Sequence, residues 1–193
     1  MLPRFGTSKL CDTWIVVLLA GSIVAWLDGG FTAGWLALAP DPVLHGQVWR
    51  LVTWPLIEHS PLQLILTCVA IYKFGGELAV RWGDRRLRRF MLEIVIAAGV
   101  VTTVLALATG RGYLVRAGGW AVSDALVIAW ARQFPTRSVV VYGLLVLRGR
   151  DLILVTIAAS VLFALAFGPV GMCPELCACA FTAAYPQARL RRD

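Results

Sequence analysis

Charged side chains are scarce in this sequence. Asp, Glu, Lys and Arg make up 15% of its 193 residues, whereas ordinary soluble domains carry about 25%. Apolar residues make up 59%, and the mean hydropathy is +0.77. This composition excludes a disordered chain, a collagen and an ordinary soluble domain. We therefore expect the chain to sit in a lipid bilayer.

Acidic residues are scarcer than basic ones, 11 against 18, which gives a formal net charge of +7. In a soluble protein this excess would suggest nucleic acid as a partner. In a membrane protein, basic residues instead mark the loops that stay in the cytoplasm. We expect membrane lipids, and no nucleic acid, among the partners.

Long apolar runs are plentiful. A transmembrane helix needs about 20 mostly apolar residues. Six stretches meet or approach this length, at residues 10–27, 61–80, 90–109, 118–131, 152–170 and 171–188. Two shorter apolar pieces, 31–39 and 138–147, are predicted to lie at the membrane surface. The sequence thus predicts an all-α membrane protein of six transmembrane helices that forms a single domain over residues 1–193.

The distribution of basic residues tests this count. With six spans, 15 basic residues lie on the side of the two termini and 3 on the opposite side. A seventh span at 138–147 would reduce the ratio to 10 to 8. Charge therefore favours six spans with both termini in the cytoplasm, and we expect the bacterial inner (cytoplasmic) membrane.

Arginines crowd the segment 81–89, which reads R-W-G-D-R-R-L-R-R. A basic residue near an anionic lipid surface contributes about 1 kcal/mol, so a headgroup or partner site is one interpretation. The simpler interpretation is a topology determinant that holds this loop in the cytoplasm.

Two motifs surround the second span. Residues 46–54 read G-Q-V-W-R-L-V-T-W, and residues 74–83 read F-G-G-E-L-A-V-R-W-G. They resemble the rhomboid family of intramembrane serine proteases, which has G-x-x-W-R-L-x-T in a membrane-embedded first loop and a helix ending in F-G-x-E-L-E-x-x-W-G. The resemblance implies a rhomboid-like bundle of six helices with a long membrane-embedded first loop, here residues 28–60.

The same resemblance places the family's reacting groups on this chain. The family serine lies in G-x-S-G-A at the start of the fourth span, where residues 118–122 read G-G-W-A-V and Trp120 occupies the serine position. The family base is a histidine opening the sixth span, but this chain has no histidine after His59. The resemblance therefore implies a catalytically inactive pseudoprotease, and we expect no enzyme activity.

The family's oxyanion residues are also replaced. The H-x-x-x-N pair of the second span reads Gln63 and Thr67, and an earlier family histidine falls at Glu58. Oxyanion stabilisation depends on hydrogen-bond donors aimed at the reacting oxygen. Their replacement agrees with the loss of the serine.

Rhomboid pseudoproteases bind transmembrane helices of client proteins, so the resemblance implies a client-binding protein or an accessory subunit of a larger membrane complex. Asp124 is the candidate polar contact, because it lies one turn after Trp120 inside the fourth span. Trp49 and Arg50 are the candidates in the amphipathic first loop. The expected partner is a transmembrane protein or a larger membrane complex.

Two other functions stay open at this point. Ser123 could serve a residual intramembrane hydrolase, although Asp124 is a poor base for a serine and both histidines lie in or beside the first loop. Asp124 could instead serve a small-solute transporter, or it could simply hydrogen-bond to a neighbouring helix. The cysteines at 173, 177 and 179 cluster, but a metal site would need further ligands. We expect no metal and no cofactor.

Overall fold

The computed structural model describes residues 8–141, 145–168 and 170–185, and the chain is mostly helical. The elements are α1 (Lys9–Leu27), α2 (Phe31–Leu36), α3 (Pro40–Leu44), α4 (Arg50–Thr53), α5 (Pro61–Ala70), α6 (Gly76–Trp82), α7 (Asp84–Ala108), α8 (Trp120–Gln133), β1 (Ser138–Val141), β2 (Leu145–Arg148), α9 (Gly149–Phe167) and α10 (Cys173–Ala184). A 3-10 turn, Trp54–Leu56, follows α4. A π-helical segment, Ile71–Gly75, joins α5 to α6.

Four helical segments of the described chain are long and apolar enough to cross a membrane: Lys9–Leu27, Pro61–Trp82, Asp84–Ala108 and Gly149–Ala166. A helix occupies each of the six predicted positions, but the count of six spans is not confirmed. The other two, α8 and α10, have 14 and 12 residues. At about 1.5 Å per residue, even α8 extends only about 21 Å, less than the roughly 30 Å hydrocarbon core.

The short α8 is the central helix of the bundle. Nine of its residues are buried, and it packs against α5, α7, α9, α10 and the π-helical segment. Its small side chains, such as Ala121, Ala125 and Ala129, allow the neighbouring helices to approach closely. A helix enclosed by protein can be shorter than the bilayer because its ends are not exposed to lipid.

The F-G-G-E-L motif forms the junction between α5 and α6. The chain is π-helical over Ile71–Gly75, a form that often marks a packing irregularity. A Cβ atom on Gly75 would lie 3.2 Å from the Cys11 sulfur, so α1 approaches this segment closely. Two residues later, Glu77 accepts hydrogen bonds from Trp130 Nε1 at 2.8 Å and from Arg137 at 3.0 Å. The motif thus fixes the end of α8 relative to α6.

The first loop folds into three short helices rather than an extended strand. Its α3 and α4 pack on α7, and the backbone of Leu38 pairs with that of Arg116 through two hydrogen bonds of 2.7 and 2.8 Å. The predicted surface segment 31–39 contains α2, whose Phe31 side chain is 70% exposed. This loop therefore caps one end of the bundle and presents apolar side chains outward.

The expectation of an all-α chain is wrong at the second predicted surface segment. Its described residues lie in two paired antiparallel strands, β1 and β2, with Ser138 opposite Arg148 and Val139 opposite Leu147. The run of β-branched valines in β1 favours a strand over a helix. The segment is also too short for periodicity to distinguish the two forms.

The predicted corner between the last two spans begins at Gly168, whose φ of +92° ends α9. A positive φ of this size is a conformation that glycine adopts without steric cost. Pro169, the end of the predicted span 171–188, and the terminal basic residues Arg4, Arg189, Arg191 and Arg192 lie outside the described residues.

Candidate functional site

A buried glutamate lies at the head of α8, where the resemblance would place a protease centre. Glu58 is 1% exposed. Its Oε1 accepts a hydrogen bond from Thr67 Oγ1 at 2.6 Å and another from the Gly119 amide at 2.8 Å. We call Glu58, Thr67 and Gly119 the Glu58 site. It joins the first loop, α5 and the N-terminal end of α8 through one carboxyl oxygen.

The backbone of Glu58 is held as firmly as its side chain. Its amide donates to Ser22 Oγ at 2.9 Å, and its carbonyl accepts from Trp26 Nε1 at 3.0 Å. Both partners belong to α1. On the same helix, a Cβ on Gly21 would lie 2.7 Å from the Leu56 carbonyl oxygen. α1 therefore fixes the position from which the Glu58 side chain reaches α8.

Two glycines make room for the carboxyl group. Gly118 has φ +134°, and a Cβ there would lie 3.2 Å from Glu58 Oε2. Its amide donates to the Trp54 carbonyl at 3.1 Å. A Cβ on Gly119 would lie 2.7 Å from Thr67 Cγ2 and 3.4 Å from the Pro55 carbonyl oxygen. The two glycines before Trp120 therefore allow the buried Glu58 carboxyl group to pack closely against the start of α8.

The two carboxyl oxygens of Glu58 have different surroundings. Oε1 accepts the two hydrogen bonds, whereas Oε2 has no partner within the described part of the chain. Burial raises the pKa of Glu58 above its usual range, and the bonds from Thr67 and the Gly119 amide oppose that rise. Glu175 of α10 lies near enough to interact electrostatically with Glu58 and Arg116. Burial and hydrogen bonding therefore act on this carboxyl group in opposite directions.

Trp120 is the first residue of α8, directly after the Glu58 site. Its indole nitrogen is buried and has no hydrogen-bond partner among the described residues. Ser123, one turn later, is 9% exposed, and its hydroxyl also has no partner there. His45 and His59 are both exposed, and His45 Nδ1 is within hydrogen-bond distance of the Asp41 carbonyl. The structure therefore does not pair Ser123 with an imidazole.

Asp124 lies on α8 one turn after Trp120, where α8 contacts α9 and α10. It accepts a hydrogen bond from Ser160 Oγ of α9 at 3.0 Å, and Cys179 Sγ of α10 is 4.0 Å away. We call Asp124, Ser160 and Cys179 the Asp124 junction. The residue as a whole is half-buried, and one carboxylate oxygen is held by the Ser160 hydroxyl.

The two candidates in the first loop have separate surroundings. Arg50 is 5% exposed, and it donates to the Ala37 carbonyl and to Gln47 Oε1, both at 2.7 Å. Trp49 is half-exposed and stacks on Trp35 with ring centroids 6.5 Å apart. Arg50 therefore holds the loop together, whereas Trp49 faces outward. The four predicted binding residues therefore fall into two groups: Trp49 and Arg50 in the first loop, and Trp120 and Asp124 on the first turns of α8.

Sequence reasoning noticed Glu58 and Thr67 only as departures from the rhomboid pattern. A signal was nevertheless present, because both replaced positions carry side chains that can hydrogen-bond to each other. Their contact with Gly119 joins residues 61 positions apart in the chain. Only the fold reveals that the replaced residues form a site of their own.

The match to a known protein family covers residues 12–186, and the family is described as eukaryotic integral membrane protein (DUF1751). No curated protein matches the chain.

The family is rhomboid-like in general, and the expected membrane location fits it. The expectation of a bacterial inner membrane is wrong, because the family is eukaryotic. An excess of positive charge gives orientation relative to the cytoplasm and does not identify the organism. The chain therefore belongs to the DUF1751 family of eukaryotic integral membrane proteins.

Proposed function

We propose that this protein is a non-catalytic, rhomboid-like membrane protein that binds a transmembrane helix of a partner, either as a client-binding pseudoprotease or as an accessory subunit. The observation that carries the proposal is the packing at the head of α8. An indole and a buried acid lie at the positions where the rhomboid resemblance leads us to expect a serine and oxyanion donors. The Gly119 amide already donates to Glu58.

The alternative nucleophile has poor support. Ser123 is buried, its hydroxyl has no hydrogen-bond partner in the described ranges, and both histidines are exposed. A serine without a nearby base is a weak nucleophile. Hydrolysis through Ser123 is therefore the less favoured function.

The Asp124 junction supports the binding half of the proposal. α9 packs mainly on α8, α10 and β2, and its other face is apolar, with Leu162 67% and Leu165 80% exposed. A half-buried carboxylate at the edge of such a helix offers a partner a hydrogen bond in an environment without competing water. A partner helix packed beside α9 would combine apolar contact with that polar contact.

The direct test is photo-crosslinking in native membranes. The photoreactive residue p-benzoylphenylalanine replaces Leu162 or Leu165 on α9, and the matched controls carry it at Val16 or Ile23 on α1, which are also exposed. We expect a discrete protein adduct from the α9 positions that the α1 positions do not give. Lipid adducts alone at all four positions would contradict a helix-binding role.

A second experiment separates the proposal from its alternatives. A serine-directed fluorophosphonate probe should leave the purified protein unlabelled. Labelling that disappears in Ser123→Ala would favour a hydrolase. Solute uptake into proteoliposomes that depends on Asp124 would favour a transporter.

A further inference from the structure

A groove lies between the first turns of α1 and α7. Its volume is about 410 Å³, and it is lined by Lys9, Leu10, Thr13, Asp84 and Arg88. Ser8 Oγ, just before α1, donates to Asp84 Oδ1 at 2.7 Å. This bond holds the starts of the two helices together beside the groove. We call it the α1–α7 groove.

The groove carries two cations without acidic partners. The ion pairs among the described residues are Arg89–Glu93 and Arg137–Glu77, so neither Lys9 nor Arg88 lies within ion-pair distance of a carboxylate in that part of the chain. The one acid in the lining, Asp84, has an oxygen occupied by Ser8. Two cations facing one partly engaged carboxylate leave the groove with a net positive charge. The groove therefore attracts an anion.

The position of the groove indicates where that anion comes from. α1 and α7 are both long and apolar enough to span a membrane, and both begin at the groove. The groove must then lie at a membrane surface, at the level of the phosphate groups of lipids. Deeper along α1, Val16 and Val17 are exposed, so an acyl chain can lie beside the same helix whose first turn holds the cation.

We propose that the α1–α7 groove binds the phosphate headgroup of an anionic glycerophospholipid. The Arg88 guanidinium offers paired donors to two phosphate oxygens, and the Lys9 ammonium offers a point charge. Thr13 Oγ1 donates to the Lys9 carbonyl at 2.7 Å, so its lone pairs, not its proton, face the groove. The arginine-rich segment 81–89 then has a binding role in addition to setting topology.

The test measures which lipids stay with the purified protein. The protein is reconstituted in mixed phosphatidylcholine and phosphatidic acid, extracted gently and examined by native mass spectrometry. We expect phosphatidic acid to be retained in preference to phosphatidylcholine. Removing two cations worth about 1 kcal/mol each should lower its affinity about 30-fold, so Lys9→Gln/Arg88→Gln should lose the preference.

The matched control removes the same charge outside the groove. Arg85 lies on the first turn of α7 and Arg150 at the start of α9; both are exposed and neither lines the groove. Arg85→Gln/Arg150→Gln should retain phosphatidic acid like the parent protein. Equal loss in both double variants would overturn the site in favour of a diffuse charge effect. Equal retention of phosphatidic acid in both double variants would also overturn the site. The basic residues would then act only in setting the topology.

Two further measurements keep the proposal testable. Competition by glycerol 3-phosphate at the same concentration as the lipid would mean that a soluble phosphate occupies the groove, which contradicts a lipid ligand. If the double variant does not fold, p-benzoylphenylalanine at Thr13 replaces it. Crosslinks there should favour phosphatidic acid, whereas crosslinks from Leu154 on α9, which is 68% exposed, should follow the bulk lipid composition. The absence of that difference would refute the site.

Discussion

Glu58 and Asp124 are two acids beside the same central helix, and the structure holds them in opposite ways. Glu58 is 1% exposed, and its contacts come from α1, α5 and α8. Asp124 is half-buried and hydrogen-bonds to α9. The first acid links α1, α5 and α8. The second links α8 to α9, whose other face carries exposed apolar side chains.

The largest loss of stability is expected from a substitution at Gly119 in the Glu58 site. Its φ of −83° suits any residue, so the cost of Gly119→Ala is steric. The new Cβ would lie 2.7 Å from Thr67 Cγ2 and 3.4 Å from a backbone oxygen of Pro55. Overpacking of this kind costs about 1–3 kcal/mol, and we expect the upper end because the Glu58 hydrogen bond is displaced as well.

Thermal unfolding in detergent measures this effect. Gly34→Ala is the matched control, because a Cβ there meets nothing within 4 Å and Gly34 lies within α2. It should unfold at or slightly above the temperature of the parent protein, because alanine favours the helix over glycine. Equal stability of the Gly119 and Gly34 variants would contradict the tight packing described for the Glu58 site.

The second largest loss of stability is expected from substitution of Glu58 itself. Glu58→Ala leaves the Thr67 hydroxyl and the Gly119 amide buried without an acceptor, at a cost of about 1–3 kcal/mol. Glu58→Gln keeps a carbonyl oxygen for both donors, so it should cost much less. Glu58→Gln as damaging as Glu58→Ala would indicate that the charged form is the one stabilised.

A comparison of the parent protein with Glu58→Gln also predicts how stability depends on pH. Because burial raises the pKa of Glu58, the folded protein binds this proton more tightly than the unfolded chain. The resulting stability is fully present below about pH 4.3, the ordinary pKa of glutamate, and is lost as the pH rises through the folded pKa. Unfolding midpoints measured across this range should fall less steeply in Glu58→Gln than in the parent. Parallel curves would contradict a raised pKa.

The sequence predicted the positions of the helices better than it predicted the site. Apolar runs and basic loops gave helices close to α1, α7 and α9, because both signals are local and strong. The strands β1 and β2 were missed, since a short apolar run fits a strand as well as a surface helix. Glu58 was missed for another reason: its burial depends on Gly119, 61 residues away, and no periodicity encodes that contact. Asp124 was singled out because a carboxylate inside a predicted span is unusual wherever it points.

A smaller effect is expected at Asp124. Asp124→Ala removes one partly exposed hydrogen bond, so stability should fall by about 1 kcal/mol or less. The protein adduct from α9 should nevertheless weaken several-fold, because the proposed polar contact is lost. Ser160→Ala, which removes the intramolecular donor and leaves the carboxylate, should keep the adduct. An adduct that is unchanged in Asp124→Ala would move the partner's contact away from the Asp124 junction.

The smallest change in stability is expected at Ser123. Its sign is opposite to that expected at Glu58 and Asp124. The Ser123 hydroxyl is buried and without a hydrogen-bond partner in the described chain. In the unfolded chain this hydroxyl hydrogen-bonds to water, and folding removes those bonds without replacing them. Ser123→Ala removes that desolvation cost and should raise the free energy of unfolding by about 0.5–1 kcal/mol. The proper comparison is Thr103→Val, because Thr103 donates to the Gly99 carbonyl at 2.8 Å and its loss should destabilise. A loss of stability in Ser123→Ala would mean that the hydroxyl has a partner in the folded protein, and a base within its reach would then have to be sought.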